Sequence, residues 1–96
     1  MGANVFTTFS MGKDAEDAFF NAVDQAKYDY GHSGYTGTIA EKDSFVMIDL
    51  PEGKEANDYA EELIENEDSR INDKWGPAGC FKISDNEYYF FGWGSS

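Results

Sequence analysis

The stretch that decides the architecture is Ala78-Gly-Cys-Phe-Lys-Ile-Ser-Asp-Asn-Glu-Tyr-Tyr-Phe-Phe-Gly-Trp93. Two runs rich in aromatic and β-forming residues, 78–84 and 87–93, flank the turn dipeptide Asp85-Asn86. The segment therefore reads as a β-hairpin. Side chains alternate across a strand, so Tyr88 and Phe90 share one face while Tyr89, Phe91 and Trp93 share the other. One set enters a core beneath helices. The other set needs cover, either from long loops that include Lys74-Trp75-Gly76-Pro77 or from another molecule. An exposed aromatic patch of this kind marks a protein contact or a homodimer, which makes Tyr89, Phe91 and Trp93 candidate interface residues.

Upstream of the hairpin, Glu55 to about Asn66 reads as a helix, with Ala56, Tyr59, Ala60, Leu63 and Ile64 as its buried stripe. Residues 67–76 are irregular and polar, anchored by Ile71 and Trp75. Pro51-Glu-Gly53-Lys54 breaks the pattern before the helix. Two strand-like runs precede it, Thr36–Glu41 and Ser44–Leu50, with Lys42-Asp43 between them as a tight turn. Further back, Asp14 to Tyr30 carries apolar residues at 15, 18, 19, 22, 23, 26 and 30, the stripe of an amphipathic helix. Asp14 is its expected N-cap and Gly31 its C-terminal stop. Val5–Phe9 reads as a first strand.

The order is then β-α-β-β-α-β-β in one domain, residues 1–96. Two helices separated by hairpins do not suit a doubly wound parallel sheet. They suit an α+β fold: a two-layer sandwich with both helices on one face of a largely antiparallel sheet, a ferredoxin-like variant.

Hydrophobic residues make up 41% and aromatics 17% of the chain, enough for a modest core and unlike a disordered acidic chain. The single Cys80 forms no internal disulfide, and small secreted domains usually carry several. No basic, apolar leader is visible at the start of the sequence, and no apolar run approaches the ~20 residues that span a bilayer. The expected location is the cytoplasm. One cysteine and one histidine do not make a zinc site. Residues Glu67–Asp73 are oxygen-rich but lack the glycine and final glutamate of an EF-hand loop. No metal and no cofactor are expected.

Nineteen Asp and Glu face seven Lys and Arg, a net charge of −12. Such a surface repels bare nucleic acid and anionic membranes and attracts basic proteins. The acids are patterned. Asp14, Asp17 and Asp24 lie on the first helix, opposite its apolar stripe. Glu55, Asp58, Glu61, Glu62 and Glu65 lie likewise on the second. With both helices on one side of the sheet, the two rows form one continuous negative face. Ordinary solubility is the plain alternative.

Other candidates are weaker. The glycine-rich loop Gly31–Gly37 follows a helix instead of preceding one, has no adjacent cation and matches no phosphate-binding fingerprint. His32 within it is a possible base or ligand. Cys80 beside Phe81 reads as a small buried hydrophobe and not as half of a Cys–His dyad.

Three segments, Tyr30–Lys42, Asp73–Cys80 and Tyr89–Trp93, resemble a group of small uncharacterised proteins encoded by tailed bacteriophages and some bacterial genomes. The resemblance runs from Asn4 to Trp93. It implies a phage or prophage setting inside a host cell, and it brings no activity and no functional residues.

The reading that follows is a non-enzymatic acidic interaction protein. It binds a basic host or phage protein, such as a nucleic-acid-binding enzyme, in the manner of a nucleic-acid mimic or inhibitor. A structural module that homo-oligomerises through the aromatic sheet face is the alternative. A small ligand binder or enzyme using the His32 loop is a second one.

Overall fold

Residues 3–11 alternate β-branched, aromatic and small polar side chains and form strand β1 (Ala3–Met11). The computed structural model describes residues 3–30, 39, 42–72 and 76–95. Helix α1 (Ala15–Tyr30) follows. Its start is fixed by a local exchange: Asp14 accepts the Asp17 N–H at 2.8 Å, and Asp17 accepts the Lys13 N–H at 3.1 Å. This is N-capping by short acidic side chains at the positive end of the helix. Gly12 lets the turn close: a Cβ there would collide with the Ala18 backbone, its Cα lying at 2.9 Å.

Strand β2 (Phe45–Met47), helix α2 (Ala56–Glu65), strand β3 (Ala78–Lys82) and strand β4 (Glu87–Ser95) complete the order. The four strands form one sheet in the order β1-β4-β3-β2. β4 pairs antiparallel with both β1 and β3, while β2 runs parallel to β3. The fold is α+β with a mixed sheet and two helices. Before α2 the chain turns at Pro51-Glu-Gly53-Lys54, where the Lys54 N–H reaches Pro51 O at 3.2 Å and Gly53 adopts φ +85°. Such a turn needs glycine at its third position.

Two expectations are corrected. Among the described residues, the run 44–50 is paired otherwise than in the expected hairpin with 36–41. Lys42 N–H closes a short turn onto Ile39 O, and β2 pairs in parallel with β3 across α2. The rest of the expected strand 36–41, the loop Gly31–Gly37 with His32, and the anchor Trp75 lie outside the described residues.

The second correction concerns layers. The helices do not share a face. Ala18, Phe19, Ala22, Val23 and Ala26 of α1 pack with Phe6, Cys80, Tyr88 and Phe90. Ala60, Leu63 and Ile64 of α2 pack with Phe81, Tyr89 and Phe91. Residues 88 and 90 point opposite to 89 and 91, so α1 and α2 lie on opposite faces of the sheet. The order β-α-β-β-α-β-β and the ferredoxin-like two-layer sandwich give way to helix, sheet and helix in three layers.

The physical reason is in the sequence of the central strands. Ala78–Phe81 and Tyr88–Phe91 are buried at every position, as strands covered on both faces must be. Rings dominate both cores. On the α1 side Phe90 lies 5.7 Å from Phe19 and 5.8 Å from Phe45, centroid to centroid. On the α2 side Phe81 lies 5.5 Å from Tyr59 and 4.6 Å from Phe91. The Tyr89 hydroxyl, buried with its ring, bonds Asn57 Oδ1 at 2.6 Å. Lys42 is buried against the first core, its Nζ 6.0 Å from the Phe6 ring centre.

Candidate functional site

The carboxylates expected to act together are separated by the sheet. Asp24 lies on the exposed side of α1, and Asp14 and Asp17 are engaged in starting that helix. Glu55, Asp58, Glu61, Glu62 and Glu65 are all exposed on α2, against the other face of the sheet. The continuous negative face requires both helices on one side, so it does not form. What remains is one dense row on α2 and a sparse one on α1.

The α2 row covers about a third of the helix circumference. At 100° per residue, positions 55, 58, 61, 62 and 65 fall opposite the buried stripe of Ala60, Leu63 and Ile64. Among the described residues one cation answers it: Lys54 Nζ meets Glu62 Oε2 at 2.8 Å. That bond raises the lysine's pKa, yet both groups stand about half exposed, where such pairs contribute little.

Beyond α2, Asp68 receives three bonds from Arg70: the backbone N–H and Nε onto Oδ1 at 2.9 Å, and Nη2 onto Oδ2 at 2.8 Å. The guanidinium bond, then the backbone bond, holds the Asp68 carboxyl down at about 2. This pair folds the turn after α2 and takes Arg70 to Asp68, not to the carboxylates of the helix row.

The helix ends are unusual. Glu55 occupies the N-cap with no side-chain capping bond. At the other end the Glu67 N–H bonds Ile64 O and the Asp68 N–H bonds Leu63 O, a Schellman closure. Its left-handed residue is Glu67, φ +54°, where glycine is the usual occupant. The last turn holds no basic residue, and Glu62 and Glu65 face the negative end of the helix dipole.

The expected aromatic interface is interior. Tyr89 and Phe91 are 1% and 0% exposed beneath α2, and Trp93 is half-buried. The cover comes from α2, which the one-sided reading had placed elsewhere. The Trp93 Nε1 is buried without a hydrogen-bond partner among the described residues.

Apolar exposure lies on β1 instead. Val5, Phe9 and Met11 are 47%, 53% and 59% exposed on the sheet face that α2 covers only over β2, β3 and β4. Phe9 packs edge-on against Tyr89 at 4.8 Å. The outer edge of β1 and the adjoining flank of α1 enclose a groove of about 830 Å³, lined on the helix by Asn21, Ala22, Gln25 and Ala26. Sequence reading passed over this edge. The signal was present as a run from Met1 to Gly12 without a single charge.

Cys80 is fully buried in β3, and burial pushes its thiol up to about 12. A thiol so placed is not a nucleophile at neutral pH. We expect Ellman's reagent to leave the native protein unmodified over hours and to titrate one thiol once it is unfolded in guanidinium. Rapid native labelling would contradict the burial. Among the described residues no cluster of metal-ligating side chains occurs, and no helix is long and apolar enough to cross a membrane. Comparison with known protein families, with curated proteins and with solved structures finds no match to this chain.

Proposed function

We propose that this chain is a non-enzymatic interaction protein that binds a basic protein through the exterior of α2. One observation carries the reading: α2 keeps carboxylates at three places where another residue would serve the helix better. Glu55 stands at an N-cap where Ser or Asp would bond. Glu65 opposes the dipole in the last turn. Glu67 takes a left-handed conformation that costs a non-glycine residue roughly 1–2 kcal/mol. A helix selected only for stability or solubility would not carry acids at all three.

The spacing supports a class of partner. Five carboxylates from Glu55 to Glu65 lie along about 15 Å of helix, about one per 3–4 Å. One DNA strand carries a charge per ~3.4 Å. A basic groove built for a single phosphodiester strand, as in a nucleic-acid-binding enzyme, matches such a row. In a phage or prophage setting that enzyme belongs to the host cell or to the phage, and it is met in the cytoplasm.

The test replaces Glu55→Ser, Glu65→Lys and Glu67→Gly together. The variant melts higher by about 1–3 kcal/mol of added stability. At the same time it loses most of the basic protein that immobilised wild type retains from bacterial lysate at low salt and releases at high salt. Equal retention by wild type and variant, or retention indifferent to salt, would remove the acidic row as the binding element.

A further inference from the structure

The outer edge of β1, which no strand joins among the described residues, carries a second, independent inference. The Gly12 N–H donates to Asn86 O at 3.0 Å, continuing the β1–β4 register. In an antiparallel ladder bonded residues alternate. Residues 4, 6, 8, 10 and 12 therefore turn their backbone groups toward β4. The N–H and C=O groups of Val5, Thr7, Phe9 and Met11 turn outward. Among the described residues β1 pairs with β4 alone. Asn21 Nδ2 occupies the Met11 carbonyl at 2.8 Å and closes one end of the edge. Phe9 O receives only a long contact, 3.3 Å, from the Thr8 hydroxyl.

Proteins usually blunt such an edge with lysine, proline, a bulge or shortness. β1 has none of these. It is nine residues long, and the first charge in the chain is Lys13. In a chain of net charge −12, this is the surface that a second copy can approach with least repulsion.

We propose that two copies join β1 to β1 antiparallel about a two-fold axis at Thr7, making one eight-stranded sheet. The register is self-complementary. Thr7 faces Thr7 of the second copy, and Val5 faces its Phe9 in both directions, a β-branched–aromatic pair on the exposed apolar row. Each copy's outward N–H and C=O groups at residues 5, 7 and 9 meet their counterparts. On the opposite face, Phe6 meets Thr8 beside the groove under Asn21 and Gln25 of α1. An isologous pairing of this kind closes on itself and leaves no further edge of β1.

Salt separates this proposal from the acidic-row reading. Association of two acidic copies strengthens with added salt as their repulsion is screened, while capture of a basic partner weakens. Sedimentation equilibrium of the full chain is run from low to high micromolar at 0.05 and 0.5 M NaCl. Hydrogen exchange is read at the Val5, Thr7 and Phe9 amides. We expect a dimer favoured at high salt, with those three amides protected only as concentration rises. Val5→Lys weakens dimerisation at least tenfold with the melting temperature little changed. Thr7→Pro, which removes an outward N–H that β4 does not use, also weakens dimerisation. A chain that stays monomeric throughout overturns the proposal, as does a dimer indifferent to both substitutions. Protection of the three amides independent of concentration also overturns it, because the edge would then be covered within one copy.

Discussion

Replacing Phe90 with alanine lowers the unfolding free energy by about 3–5 kcal/mol. Phe90 is fully buried at the centre of the α1 layer, between Phe19 and Phe45. Its neighbours belong to α1 and to the edge strand β2, and their rings also meet each other at 5.1 Å, so Phe90 is the third member of one aromatic cluster. A domain of this size has roughly 5–14 kcal/mol in total. The variant should therefore melt at least 12 °C below wild type, at the ~4–8 °C per kcal/mol of small domains. Urea denaturation followed by tryptophan fluorescence measures the loss directly. A loss under 1 kcal/mol would mean that the ring is not held between those partners. Phe90→Leu, which keeps most of the volume, should recover more than half of it.

Gly79→Ala should cost nearly as much, for the opposite reason. Gly79 sits in β3 directly opposite Phe91 of β4. The Phe91 ring lies flat over it: an added Cβ would press into Cζ, with Cε1 and Cε2 at 2.8 Å. That ring has no room to withdraw, because Phe81 holds it from the side at 4.6 Å and it is wholly buried. Overpacking of this sort costs about 1–3 kcal/mol, and a rigid aromatic places it near the upper end. The double-mutant cycle with Phe91→Leu isolates the cause. Once the ring is gone, Gly79→Ala should cost at least 1 kcal/mol less than it does alone. Strict additivity would show that the glycine is needed for its backbone and not for the ring above it.

The hairpin of 78–93, the turn at Asp85-Asn86 and both helices were legible in the sequence, because each rests on a local signal. Asp14 does cap α1, and the stripe of Ala60, Leu63 and Ile64 is the one α2 buries. The layers were misread, and the residues show why. Tyr88–Phe91 is a continuous apolar run. Alternation alone leaves one half of it in need of cover, yet a run without polar interruption is itself the mark of burial on both faces. β2 lies inside the strand expected at Ser44–Leu50, but its parallel pairing with β3 is not written in so short an element. Three residues carry too little pattern to outweigh the neighbouring β-like run at 36–41.

The surface was legible only in part, for a related reason. Which residues of α1 and α2 are exposed follows from periodicity within each helix. Whether two acidic rows meet depends on which side of the sheet each helix takes, and that depends on contacts far apart in sequence. The uncharged run at the start of the chain was plain to see. Its meaning depended on learning that β1 stands at an edge.

The β1–β4 register, with Ala3 opposite Ser95, also sets an order of events in time. The β3–β4 hairpin closes locally, the Ile83 N–H meeting Glu87 O, and needs no distant segment. β1 must instead close a loop that spans almost the whole chain, the slowest kind of contact to form. On the ribosome β1 is made well before its described strand partner, β4. Until β4 emerges, α1 is the described element that can shelter this strand of uncharged, partly apolar residues.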